Sequence, residues 1–157
     1  MIKPLRFTDI CVHHADVLAE LHGESFEEGW STKSLRTTLE MPGTFGFIAE
    51  NAAGEPLGFG LFRTSVDEAE VLTIATRPSL RGQGIAKALM NRALAQSQKL
   101  GAKSMFLEVA VDNAAALKLY QSLGFEEVGR RQGYYKRFDG SRADGLVMKR
   151  NLVPQYP

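Results

Sequence analysis

Two places in this sequence carry residue types and spacings suited to chemistry. One fits binding of a phosphorylated ligand, the other proton transfer. The first is Arg81-Gly82-Gln83-Gly84-Ile85-Ala86, between an apolar run and a long stretch of helical periodicity. Its glycines let backbone approach a ligand closely, and the free N–H groups of a helix's first turn, with the positive end of its dipole, favour phosphate oxygens. On the fragment alone, a glycine turn before a helix with no ligand fits equally well. The second place is Glu108, with Tyr120 twelve residues further on. Glu108 lies in the apolar strand Met105-Phe106-Leu107-Glu108-Val109, where partial burial would raise a carboxyl pKa towards that of a useful base. On an alternating strand the same residue would point to solvent. Asn113, Ala116 and Tyr120 fall on one helix face, and a phenol with an ordinary pKa of about 10 stays protonated and can serve as an acid. A core aromatic beside Leu117 and Leu123 is the other reading of Tyr120, and the two are compatible.

Other chemistries are disfavoured by count and register. The single cysteine, Cys11, forms no internal disulfide, and with His13, His14 and His22 it offers no zinc-ligand spacing, so no metal is expected. Cys11 is far in sequence from the glycine loop and is read as a packed thiol, the usual state of a free cysteine. A dinucleotide fold would use Glu108 on a ribose, but Lys87 then falls where a small residue is required, and Pro78 to Arg81 lengthen a turn that must be tight. A formal net charge of +1 with 24% charged residues gives no bulk field for nucleic acid or an anionic membrane. No apolar run approaches a membrane span, and Met1 to Arg6 have no signal-type stretch, so a cytoplasmic protein is expected.

The elements that must position these residues follow from periodicity. With 157 residues, 44% of them hydrophobic, the chain suits one domain spanning 1–157. Two short helices open it, Ala15 to Phe26 with Leu18, Leu21 and His22 at helical spacing, and Ser31 to Met41 with Leu35 and Leu39. Ser31 is the expected N-cap, and Trp30 with Leu35 would form a hydrophobic staple. Thr44 to Glu50, Pro56 to Arg63 and Glu70 to Thr76 read as an antiparallel meander. A helix from Ile85 to Leu100 buries Ile85, Leu89, Ala93 and Leu100 and stops at Gly101. The strand Ser104 to Val111 follows, then a helix capped by Asp112 or Asn113 and ending at Gly124. Strands Glu126 to Tyr135 and Leu146 to Asn151 flank an Asp139-Gly140 turn, and a short strand is expected near Leu5 to Phe7. The class is α/β (α+β): a mixed, mostly antiparallel central sheet flanked by helices, not a repeated βα array.

With these elements in place, the chain resembles the GCN5-related N-acetyltransferase (GNAT) superfamily, whose acetyl-coenzyme A loop reads R/Q-x-x-G-x-G/A, here Arg81, Gly84 and Ala86. The resemblance runs from the first helix to the end. Within the superfamily it is most similar to bacterial ribosomal-protein alanine N-acetyltransferases. That likeness rests on Phe26 with Gly29-Trp30-Ser31, on Glu70 to Thr76, on Leu107-Glu108-Val109, on Asn113 to Phe125 and on Tyr134-Tyr135. Gly29 stands where that group commonly has proline, Ala110 where arginine is usual and Gly145 where alanine is usual.

The resemblance implies direct attack of an amine on the thioester of acetyl-CoA, with Glu108 as base and Tyr120 as acid to the departing thiolate. It implies that Leu72, Ile74, Ala75 and Thr76 align the pantetheine arm through their backbone. Arg81, Gly82, Gln83, Gly84, Ile85 and Ala86 would take the pyrophosphate, and Asn113 and Ala116 would lie along the cofactor. An α-amine of pKa about 8 is neutral in roughly one molecule in ten at pH 7, against about one in 2,500 for a lysine, so a modest base suffices for a protein N-terminus. The expected acceptor is the N-terminal amine of a ribosomal protein beginning with alanine. A small amine or amino acid is the alternative acceptor, and a non-catalytic CoA-binding sensor is a third reading. Trp30, Glu28, Tyr134 and Tyr135 are candidate acceptor-wall residues. Glu24, Glu27 and Glu28 make either an acidic approach for a peptide amine or a solvated helix end. No heptad or exposed apolar run predicts an obligate dimer, so a monomer is expected.

Overall fold

The computed structural model describes residues 4–26 and 28–152. The chain order is β1 (Arg6–Asp9), α1 (Ala15–Ser25), α2 (Thr32–Glu40), β2 (Thr44–Glu50), β3 (Pro56–Ser65), β4 (Glu68–Thr76), α3 (Ile85–Lys99), β5 (Ser104–Ala110), α4 (Ala114–Ser122), β6 (Glu126–Lys136) and β7 (Arg142–Asn151). The strands form one sheet in the order β1-β2-β3-β4-β5-β7-β6. Among the described residues only β4 and β5 run parallel, joined by the α3 crossover that a parallel pair requires. The mixed, mostly antiparallel sheet flanked by helices expected from periodicity is what forms.

Each face of the sheet buries its own apolar cluster. On one, Ile85, Leu89, Met90 and Ala93 of α3 and Tyr120 and Leu123 near α4 pack on Met105, Leu107 and Val109 of β5 and Leu146 and Met148 of β7. On the other, Ala15, Leu18 and Leu21 of α1 and Leu35 of α2 pack on Ile48, Phe59, Leu61 and Ala75. Ser31 caps α2 by accepting from Ser34 N at 3.0 Å, and Trp30 and Leu35 belong to the same cluster, as a staple requires.

Two burial expectations are corrected. Leu100 is 50% exposed. The inward stripe of α3 runs through Ile85, Leu89, Ala93 and Ser97, and Leu100 falls beyond the last helical residue, just before Gly101 turns the chain at φ +92°. Cys11 is exposed rather than packed, because it sits before the short turn of helix leading into α1 and its backbone N–H donates to His14 Nδ1.

Candidate active site

The site begins where two strands part. β4 and β5 pair only at Glu68↔Ser104, Ala69↔Met105 and Glu70↔Phe106. Beyond Glu70, β4 stays paired with β3 through Thr76↔Gly58, and β5 stays paired with β7 through Ala110↔Gly145. The edges of Leu72–Thr76 and Glu108–Ala110 that face each other therefore have no strand partner among the described residues. An irregularity in the β3–β4 register passes over Leu72. Side chains along this edge divide between the clusters, with Val71 and Ile74 against one and Leu72 and Ala75 in or against the other, so β4 presents backbone to the opening. A bare strand edge is a ready template for an extended ligand. Thr76 Oγ1 is buried there without a hydrogen-bond partner.

The glycine loop closes one end of the opening. Gly82 and Gly84 have φ of +80° and +82°, which only glycine adopts readily, and a Cβ at either would meet nothing within 4 Å. Gly84 is the N-cap of α3 and supplies no side-chain cap, and the first backbone bond inside the helix runs from Ala88 N to Gly84 O. The N–H groups of Ile85, Ala86 and Lys87 are thus left for a ligand or water, in a cradle with room for a phosphate. Ile85 is 1% exposed and roots the cradle in the core. Ala86 and Gln83 are half-buried beside it, and Arg81 reaches Ser25 O at 3.5 Å.

Glu108 and Tyr120 lie on opposite faces of the sheet at the parting. Tyr120 shares the cluster of Leu107 and Val109, so Glu108, which alternates with them on β5, faces the α1–α2 side. Its side chain is 23% exposed, Oε1 is buried with no hydrogen-bond partner, and Arg131 Nε lies 3.6 Å away, an opposite charge beyond hydrogen-bonding reach. A base with a free, shielded oxygen is suited to receive a proton from an amine. Tyr120 is 6% exposed and packs edge-on to Phe125 at 6.0 Å. Burial, and to a lesser degree Tyr135, pushes its phenol up to about 12, so it holds its proton at any physiological pH. Asn113 Oδ1 caps α4 by accepting from Ala116 N at 3.2 Å, which occupies both groups in the turn that starts the helix.

On the α1–α2 side, Trp30 stacks on His22 with centroids 4.9 Å apart. Glu24 does not offer a free carboxylate as the acidic-approach reading required, because it forms a 2.6 Å ion pair with Arg77. Glu28 is exposed, and Glu27 lies outside the described residues. Tyr134 and Tyr135 meet edge-to-face at 5.2 Å, with Tyr134 half exposed and Tyr135 turned towards Glu108. Burial first, then the Glu108 carboxylate and Tyr134, raise the Tyr135 phenol.

Sequence reasoning missed Arg131, and it noted Gly145 only as a departure from the family pattern. Arg131 lies 23 residues from Glu108 on a different strand, and only the β6–β7 register brings it over Gly145. Thr73 was also passed over, because its apolar neighbours hide a hydroxyl that bonds His22 Nε2 at 3.2 Å.

The sequence profile of the acetyltransferase (GNAT) family matches residues 15–125. A 95-residue stretch, 60% of this chain, is 38% identical to the [ribosomal protein bS18]-alanine N-acetyltransferase of Escherichia coli K12, and spans 64% of that protein's length. The N-alpha-acetyltransferase RimI of Mycobacterium tuberculosis is 34% identical over 139 residues, 85% of this chain and 84% of that one. Among solved structures, the ribosomal-protein-S18-alanine N-acetyltransferase of Escherichia coli superposes with a TM-score of 0.89 at 26% identity, covering 97% of this chain and 96% of that one. Together with the parted β4 and β5 strands and the loop at the head of α3, these matches make the chain a member of the acetyltransferase (GNAT) family.

Proposed function

We propose that residues 1–157 act as one N-acetyltransferase domain that moves the acetyl group of acetyl-CoA to the N-terminal α-amine of a protein. A ribosomal protein beginning with alanine is the favoured acceptor, which places the work in the cytoplasm. The observation that carries this reading is the unpaired edge of Leu72–Thr76, flanked by Glu108 on one face of the sheet and Tyr120 on the other. The names of the relatives supply the acceptor class. Among the described residues, no helix is long and apolar enough to cross a membrane, and no group of His, Cys, Asp and Glu could hold a metal.

Acetyl-CoA supplies an acetyl thioester when bound. The backbone of Leu72, Ile74, Ala75 and Thr76 aligns the pantetheine arm, and Arg81 with the amides around Gly82 and Gly84 takes the pyrophosphate. Asn113 and Ala116 border the arm at the start of α4. Glu108 accepts the proton that the amine sheds as its nitrogen bonds to the acyl carbon, and Tyr120 gives its proton to the sulfur as the C–S bond breaks. Trp30, Glu28, Tyr134 and Tyr135 wall the acceptor side. Because an α-amine is partly neutral at pH 7, a carboxylate with one free oxygen is base enough.

The test is incubation with acetyl-CoA and a panel of Ala- and Ser-starting peptides, N-blocked lysine peptides and small amines, read by product mass and thiol release. A gain of one acetyl group confined to free Ala- or Ser-starting peptides is expected. Turnover of small amines alone would overturn the acceptor and leave the donor chemistry in place, and donor binding with no turnover would favour a sensor.

A further inference from the structure

His22 is 2% exposed and engages both ring nitrogens. Trp30 N–H donates to Nδ1 at 3.0 Å. A ring nitrogen that accepts carries no proton, so the neutral ring is protonated at Nε2, which donates to Thr73 Oγ1 at 3.2 Å. The same imidazole lies against Phe26, centroids 4.2 Å apart at 26°, and against Trp30, 4.9 Å apart at 22°. One side chain of α1 therefore holds both aromatic residues of the α1–α2 segment and ties them to a residue of β4 within its unpaired stretch.

Gly29 adds a second fastening. A Cβ there would lie 2.8 Å from Gly23 Cα and 3.2 Å from Gly23 N, so the segment's backbone is laid directly on α1. Gly23 itself faces open space, with nothing within 4 Å of a Cβ. The fit is one-sided: a methyl group at position 29 must push the segment away, and one at position 23 need not. Ser31, two residues on, caps α2, so both ends of the segment are fixed.

We propose that His22 and Gly29 form a clasp that sets the acceptor-side wall relative to β4, making His22 a positioning residue for acceptor recognition. The proposal rests on the acyl-transfer reading above. The clasp acts on Trp30 and Phe26, which border the acceptor side, and meets the donor side only through the Thr73 hydroxyl, not through the backbone edge of Leu72–Thr76, the glycine loop or α4. Its loss therefore weakens acceptor binding and spares donor binding.

Trp30 is the chain's one tryptophan, so its fluorescence reports the clasp without any turnover. His22→Phe keeps an aromatic ring and removes both hydrogen bonds, Gly29→Ala pushes the backbones apart, and Gly23→Ala is the control. Red-shifted Trp30 emission and about a tenfold rise in acceptor-peptide KM are expected for His22→Phe and Gly29→Ala, with donor Kd within about twofold of the parent. Gly23→Ala should match the parent in all three. Emission unchanged in both altered proteins would show that the clasp does not exist. Shifted emission with unchanged acceptor KM, or equal losses of donor and acceptor affinity, would overturn its role in recognition. Failure of the parent to acetylate any amine would sink the acyl-transfer reading separately, while the emission arm still decides the clasp. If His22→Phe does not fold, Gly29→Ala against Gly23→Ala decides alone.

Discussion

Glu108 Oε1 occupies the space above Gly145: a Cβ on Gly145 would come within 2.6 Å of it and within 3.3 Å of the Tyr135 ring. The absent side chain is thus a condition for the observed position of the carboxylate. Ala110, the cross-strand partner of Gly145, is also small, so two small residues face each other beside the base. Gly145→Ala should displace Glu108 from Arg131 and Tyr135, lowering kcat several-fold with little change in donor Kd. Parallel kinetics and calorimetric titration would check this; an unchanged kcat would show that the carboxylate tolerates the shift.

Tyr120 combines burial with a phenol pushed up to about 12. Its ionisation therefore lies above the range of an activity assay, and no alkaline fall in kcat below pH 10 should arise from it. Tyr120→Phe should cut kcat by about 10²-fold, the usual contribution of a positioned acid, and leave the fold intact because the ring and its contact with Phe125 remain. A pH–rate profile on both proteins tests the two statements together.

His22 gives a stability prediction with a definite sign. Burial lowers its pKa from 6.5 to about 4 in the folded protein, so the unfolded chain binds the proton more tightly. Stability is then full above about pH 6.5 and declines as pH falls towards 4, by up to about 3 kcal/mol. Urea midpoints measured between pH 7 and pH 4 should fall for the parent and fall less for His22→Phe.

Much of this architecture was legible in the sequence, and the exceptions have physical reasons. The start of α3 is legible because Gly84 must adopt positive φ, and its end is legible to within one residue because Gly101 does the same. The ends of β2 follow from turn residues on both sides. The parting of β4 from β5 was not legible: local periodicity sets which face a residue occupies, not how far two strands stay paired. The Arg131–Glu108 approach depends on β5–β7 and β6–β7 register, to which no local pattern points. The Glu24–Arg77 ion pair escapes a local reading for a similar reason, since the partners lie 53 residues apart.

Val66, in the turn between β3 and β4, has φ +56°, a conformation costly for a β-branched residue, and is 94% exposed. Val66→Gly should relieve that strain at little packing loss. A gain of about 1 kcal/mol, or roughly 2–4 °C in Tm, is expected by calorimetry.

The most direct test of the central claim is the initial rate of acetyl transfer to an alanine-starting peptide by the parent protein and Glu108→Gln, with donor Kd measured alongside. The account predicts a fall in kcat of about 10²-fold or more with donor Kd unchanged. Full turnover by Glu108→Gln would contradict it.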